Sequence, residues 1–403
     1  MNHSYSNKHA LIFGFISVFL TGLGLTIVNP VLPFLVAPYV KVSQQASVVT
    51  CLAAAYATAL FLAAPILGAL SDHFGRRPIL IISLIGAAIG YSIFGVGGSL
   101  RLLFLGRIID GITGGEIAAI FAYFADITPV EKRTHYFGWI SAIVGIGTAL
   151  GPVIGGLLAN FGNNTPFFVG AAISILNAAY GFFFMPESLP QERRSQNISF
   201  QRLNPLKQLV TILKLPIINR LLFTAFLLWL PNGGLQSIFS QFSIDTFAWK
   251  PTIIGLMFSL IGILDIVSQT FLMPLLLKHF SDQKIISLGM IAEIFGYLFI
   301  GSAYLTQRTI IFVLGMIIFS LGDAIFNPAF NGLLSKSADE NRQGQVQGGA
   351  QSIQALARII GPIVVGQLYH FSHFSPAVLG VVFIFCSFLF LQQSKPALHN
   401  KKL

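Results

Sequence analysis

Five of the 14 acidic side chains, Asp110, Glu116, Asp265, Glu293 and Asp323, stand in stretches that are otherwise apolar. An ionised group at the centre of a bilayer helix costs roughly 2.5 to 3.5 kcal/mol, so each needs an ion-pair partner, a wet passage or a proton. An ion pair explains one such residue easily; five together point to proton chemistry. Arg107 and Asp110 have the i, i+3 spacing that brings two side chains together on one helix face. The arginine is then the counter-charge, and a proton replaces it if the arginine turns elsewhere. Glu116 lies about 180° around from Arg107 and does not share that face. Glu293 has no basic residue within a turn on either side, so a proton is its only local means of neutralisation. Glu293 is the expected proton carrier, with Asp110, Glu116 and Arg107 as further coupling candidates.

Polar residues recur at helical spacing. Trp229, Asn232, Gln236 and Ser240 form one stripe, Ser320, Asp323, Asn327 and Asn331 a second, and Gln347, Gln351, Gln354 and Arg358 a third; Asp265 and Gln269 add a pair. Hydrogen bonding between helices accounts for some such residues, but a lipid-facing surface would not carry them. The expected substrate cavity is lined by Asn29, Trp229, Asn232, Gln236, Asp265, Gln269, Asp323, Asn327, Gln351, Gln354 and Arg358. Arg107 and Arg358 favour an anionic or zwitterionic ligand unless they serve only to balance the carboxylates. The 38 phenylalanines offer stacking surfaces, most of them for packing or lipid.

The elements that carry these residues are membrane helices. Of 403 residues, 54% are hydrophobic and 9% charged, with a mean hydropathy of +0.77; soluble domains carry roughly 25% charged residues. Apolar runs long enough to cross a bilayer are predicted at 10–36, 46–70, 79–98, 102–125, 136–160, 165–185, 219–244, 252–277, 285–305, 309–332, 346–370 and 374–393. The first is too long for a signal-peptide core and is expected to be retained. The expected fold is an all-α membrane protein of twelve transmembrane helices in two pseudo-symmetric six-helix bundles, 1–186 and 218–403, joined by a basic cytoplasmic linker, 187–217.

Charge sets the orientation. Of the 24 Lys and Arg, only Lys41, Arg101, Lys250 and Arg308 fall in the loops on the far side from the N-terminus, and Arg107 and Arg358 lie within spans. The positive-inside rule then puts both termini in the cytoplasm. The net charge of +10 is thus accounted for without nucleic acid. Cys51 and Cys386 fall in spans of opposite halves and read as small core residues, not a disulfide. His370 and His373 read as interfacial polar residues. No phosphate-binding loop, nucleophile triad or metal-ligand spacing is present. Neither an enzyme nor a cofactor is expected.

The halves repeat. His73-Phe74, Gly90-Tyr91 and Gly95 reappear at a nearly constant offset as His279-Phe280, Gly296-Tyr297 and Gly301. Gly138, Gly151-Pro152, Gly156 and Leu158 reappear as Gly348, Gly361-Pro362, Gly366 and Leu368. Two halves of the same orientation place a central site near mid-bilayer.

Three motifs carry a resemblance. Gly68-Ala69-Leu70-Ser71-Asp72-His73-Phe74-Gly75-Arg76-Arg77 resembles the loop signature of the major facilitator superfamily, with a histidine where a basic residue usually follows the aspartate. Asp72 beside Arg76 and Arg77 in a tight turn suits a charge-assisted gating latch. Gly138, Gly147, Gly151-Pro152 and Gly155-Gly156 resemble the antiporter motif of drug:proton exporters, and Leu23-Gly24 with Pro30-Val31-Leu32-Pro33 resembles a signature of the twelve-helix branch. Gly106-Arg107, Ala122 to Thr128, Gly289 to Tyr297 and Gly344 to Gly348 are similar to tetracycline/proton antiporters. The aspartates of that family's first and third helices would fall at Thr21 and Gly90, whereas Glu293 keeps the acidic position in its ninth.

The reading is a proton-coupled antiporter that exports a small amphipathic compound across the inner membrane by alternating access. A monomer is expected, in contact with lipid, protons and a small-molecule substrate. A proton-coupled importer of a metabolite is the rival, because the Asp72 loop does not report direction. A nontransporting receptor or scaffold is a second, with little tail or linker to support it.

Overall fold

The computed structural model describes residues 8–114, 117–128, 133–195, 215–337 and 343–399. Among these residues the regular structure is helical, as hydrocarbon requires when every backbone N–H and C=O must be satisfied within its own segment. The first part of the chain forms α1 (Lys8–Thr26), α2 (Leu32–Val36), α3 (Val42–Phe74), α4 (Arg76–Val96), α5 (Leu100–Gly114), α6 (Ile117–Ile127), α7 (Arg133–Leu158) and α8 (Thr165–Phe184). It continues with α9 (Pro216–Phe247), α10 (Pro251–Val267), α11 (Met273–His279), α12 (Asp282–Thr306), α13 (Thr309–Ser337), α14 (Gln343–Phe371) and α15 (Ser375–His399). Eleven stretches of the described residues are long and apolar enough to cross a membrane, and Leu11–Thr26 is a shorter apolar helix. The expected count of twelve is reached only by including that shorter helix.

Three spans differ in detail from the sequence reading. The run 10–36 is not one helix: α1 ends at Thr26, and α2 starts only at Leu32. Pro30 supplies no N–H and disfavours the helical conformation at Asn29 before it. The fourth span comprises α5 and α6, with Gly115 and Glu116 outside the described residues. The eighth contains a π-turn, Ser268–Leu272, between α10 and α11. Pro274, two residues beyond it, cannot donate to the carbonyl one turn back, and a locally wider helical turn accommodates the missing bond.

The chain forms two compact units. One comprises Met1–Val40, Ala55–Asn204 and Lys250–Ser259, the other Lys41–Ala54, Pro205–Trp249 and Leu260–Leu403. In the first, α1 packs along α7, and α4 along α5 and α8. Its core includes Phe13, Tyr123, Phe124 and Ile140, all fully buried. In the second, α12 packs along α13, and α9 along α14 and α15.

Glycine makes the closest of these contacts. Membrane helices gain little from the hydrophobic effect and associate through tight packing at small residues. A Cβ on Gly147 would lie 2.6 Å from the Phe19 carbonyl oxygen, one on Gly151 2.8 Å from that of Leu23, and one on Gly155 2.2 Å from that of Ile27. Gly156 meets the Pro251 carbonyl in the same way. The repeat reproduces this packing in the second unit, where Gly361 faces the Leu230 carbonyl of α9 at 2.2 Å. Gly138 has nothing within 4 Å of the place a Cβ would occupy, and neither does its counterpart Gly348. Gly147→Leu is therefore expected to destabilise the α1–α7 pair by about 1 to 3 kcal/mol and to lower the midpoint of thermal unfolding in detergent. Gly138→Leu should leave that midpoint in place, and an equal fall in both variants would contradict the packing assigned here.

Candidate functional site

The acidic residues of the second unit meet in one hydrogen-bonded cluster. Glu293 on α12 is fully buried, and its Oε2 accepts from Asn232 Nδ2 of α9 at 2.8 Å. The same amide nitrogen lies 3.4 Å from Asp323 Oδ1 of α13. Asp323 Oδ1 also accepts from Asn327 Nδ2 at 3.1 Å, and Asn327 Oδ1 accepts from the indole N–H of Trp229 at 2.9 Å. Trp229 in turn sits edge-on to Phe330, ring centres 5.4 Å apart. Five residues that the sequence marked on three separate helices are thus brought together. Glycine again sets the spacing: a Cβ on Gly322 of α13 would lie 2.7 Å from the Gly289 carbonyl oxygen and 3.0 Å from Glu293 Cγ. The backbones of α12 and α13 therefore touch beside the two carboxylates.

Other expected lining residues stand apart from this chain. Asp265 accepts from Gln269, one turn later on its own segment, at 2.9 Å. Asp265 and Arg358 both interact electrostatically with Asp323. Gln236, Gln351 and Arg358 are exposed and Gln354 is half-buried. Asn29 belongs to the first unit, in the turn after α1. Glu116 lies outside the described residues.

In the first unit Arg107 and Asp110 form the expected ion pair at 2.9 Å, both almost fully buried. The guanidinium lies over the Tyr56 ring at 4.2 Å, a cation–π contact. A Cβ on Gly90 of α4 would be 2.9 Å from the Asp110 backbone nitrogen, so α4 and α5 touch there. Thr21, Tyr56, Tyr91, Asp110, Thr113 and Ser174 border a cavity of about 30 Å³, of the scale of a water molecule. Of Thr21 and Gly90, where the resemblance would put aspartates, Gly90 abuts Asp110 and Thr21 lines the same cavity: α5 presents a carboxylate where α1 and α4 carry none.

The loop around Asp72 is an ionic knot. Arg76 is buried, and its guanidinium contacts Asp72 Oδ1 at 2.5 Å, Asp126 Oδ2 at 3.2 Å and the Ser71 hydroxyl at 2.7 Å. Gly75 has φ +107°, a conformation side chains disfavour, and a Cβ there would sit 2.3 Å from Glu187 Oε2. Gly68 uses its carbonyl to accept from Ser71 Oγ at 2.7 Å. Arg77 donates to the Phe182 carbonyl through its guanidinium. The Glu187 carboxylate accepts from the backbone N–H of Arg76 at 2.9 Å, Arg77 at 3.3 Å, Ser188 at 3.0 Å and Leu189 at 3.0 Å. It caps the start of α4, where orphan N–H groups and the helix dipole favour an anion. His73 Nδ1 meets the Ser195 carbonyl oxygen at 2.6 Å, and since a carbonyl only accepts, that nitrogen donates. Sequence reasoning missed Glu187 and Asp126 as partners of Arg76. Their one signal was position: each is an acid just past the end of a predicted span.

Membrane-crossing helices in duplicated halves, with carboxylates buried among amides, are the architecture of a membrane transporter. The chain belongs to the Major Facilitator Superfamily, whose family model matches residues 14–362 and 221–402. It is 37% identical over 363 residues to the tetracycline resistance protein, class C, of Escherichia coli, covering 90% of each chain. It is 32% identical over 366 residues to the class H protein of Pasteurella multocida, covering 91% of this chain and 90% of that one. The crystal structure of the nucleoside transporter NupG shares the fold, with a TM-score of 0.76 at 15% identity over 99% of both chains. The protein is a multi-pass membrane transporter, not an enzyme.

The cap supplied by Glu187 is open to test by amide exchange. Glu187→Ala removes acceptors from the first N–H groups of α4, a loss of about 1 kcal/mol. Exchange at Arg76 and Arg77 is then expected to speed up about fivefold while the interior of α4 keeps its protection. Unchanged exchange at those two amides would show that the carboxylate does not cap the helix.

Proposed function

We propose that this chain is a proton-coupled antiporter that exports a small amphipathic compound, a drug or metabolite, across the inner membrane by alternating access. The observation that carries this reading is Glu293: a fully buried carboxylate that, among the described residues, pairs with no cation and is held by one amide it shares with Asp323. Such a group is tolerated when a proton can come and go. Asp323 touches the Asn327–Trp229 pair, so a ligand among those side chains competes with a proton on the carboxylates. Asp110 with Arg107 is the second coupling candidate, and Glu116 the third. Bundles 1–186 and 218–403, joined by the linker 187–217, alternate in access, and the knot around Asp72, Arg76 and Gly75 latches one state. Both termini are cytoplasmic and the working unit is a monomer. Resistance, in the names of the relatives, supports export and an amphipathic drug as substrate class.

The test is uptake into everted membrane vesicles, with tetracycline and ethidium as probes and an imposed gradient that is acid inside. Uptake of at least one probe is expected, and Glu293→Gln should lower its rate about tenfold or more with the protein still present in the membrane. Uptake at the full rate in Glu293→Gln would remove the proton carrier from the account; uptake driven by the opposite gradient would make the protein an importer.

A further inference from the structure

The cluster around Glu293 has a direction built into it. Tyr297 follows Glu293 by one turn of α12, on the same face. It is fully buried, and its hydroxyl donates to Asn232 Oδ1 at 3.1 Å. With Oδ1 engaged as acceptor, the Asn232 amide must turn Nδ2 the other way, toward Glu293 Oε2 at 2.8 Å and Asp323 Oδ1 at 3.4 Å. The opposite amide orientation would set Oδ1 against two carboxylates, which only accept when ionised. Tyr297 therefore determines which end of Asn232 the acids see. The two contacts are unequal, and Glu293 Oε1 has no hydrogen-bond partner among the described residues. Glu293 consequently depends on this one amide, whereas Asp323 has a second donor in Asn327.

We infer that Tyr297 and Asn232 are positioning residues that couple the two carboxylates, the tyrosine by fixing the amide and the amide by dividing its two N–H groups between them. The inference rests on the reading of Glu293 as proton carrier. A proton arriving on Glu293 removes the charge that draws the short N–H contact, and the amide is then free to close on Asp323. Occupancy at a fully buried site thus reaches the carboxylate that adjoins Asn327 and Trp229. No bond is made or broken in the relay itself; only hydrogen bonds change partner. The surrounding elements offer few competing charges. Asp323 is the acid facing Glu293 from α13, Arg358 of α14 and Asp265 of the α10 segment act on Asp323, and α15, which also packs on α12, has Cys386 as its one titratable side chain between Ser375 and Gln392.

The experiment is an infrared titration of the protonated-carboxyl band of the full-length protein in lipid, which needs no substrate. The Glu293 contribution is assigned as the intensity lost in Glu293→Gln. In Tyr297→Phe its midpoint is expected to move about one pH unit to the alkaline side, because a freed amide no longer stabilises the ionised form alone. Asp323→Asn should shift the Glu293 midpoint markedly more in the wild-type background than in an Asn232→Leu background, where only the direct charge interaction between the two acids is left. A midpoint unmoved in Tyr297→Phe, or an Asp323→Asn effect of equal size with and without Asn232, overturns the relay while leaving Glu293 a titrating group. If Glu293→Gln removes no titrating band, the proton-carrier reading falls and the relay falls with it. Tyr297→Phe deletes one oxygen from a buried ring, so the test stays decisive even if Asn232→Leu does not fold.

Discussion

A carboxylate in hydrocarbon has three ways to exist: beside a cation, beside water, or with a proton on it. The arrangement of both units follows from which of these each acid uses. Asp110 takes the first, with Arg107 at 2.9 Å and Tyr56 beneath the guanidinium. Asp72 and Asp126 take it too, both on Arg76. Glu293 does not: no base lies within a turn of it on α12, and among the described residues its oxygens meet one amide between them. That exception makes the second unit the place where protons are handled in this account, and it gives Asn232, Tyr297 and Asp323 their roles.

Bringing acids from α12 and α13 within reach of one asparagine requires the helices to touch, and the glycines permit it. Gly289 and Gly322 let the two backbones meet beside Glu293, as Gly90 and Gly106 do beside Asp110. The same device seats α7 on α1 and α14 on α9, in corresponding positions of the duplicated sequence. Without a hydrophobic drive between helices in lipid, such contacts are what hold a polar cluster at fixed distances.

Much of this was legible in the sequence because membrane constraints are strong. Helix length, the scarcity of charge and the repeat gave the fold, and the spacing of Arg107 and Asp110 gave their pair. Polar stripes at helical spacing gave Trp229, Asn232, Asp323 and Asn327, though not that Asn232 bridges the two acids, since contacts between helices far apart in sequence leave no periodic trace. The repeat and the resemblance both marked Tyr297, but neither made it a partner of Asn232; its position one turn from Glu293 was the available clue. Glu187 was hidden because helix caps from a distant segment carry no local spacing. The break after Thr26 was readable from Pro30 and was lost in a hydropathy run that averaged over it.

The central claim is that substrate and proton compete for the cluster around Glu293. The most direct measurement is the count of protons released when tetracycline is added to the purified protein in weakly buffered solution, followed with a pH indicator alongside the binding itself. The account predicts release of about one proton per molecule of probe bound, by linkage, and none from Glu293→Gln. Binding without release in the wild-type protein, or equal release from both, would contradict it.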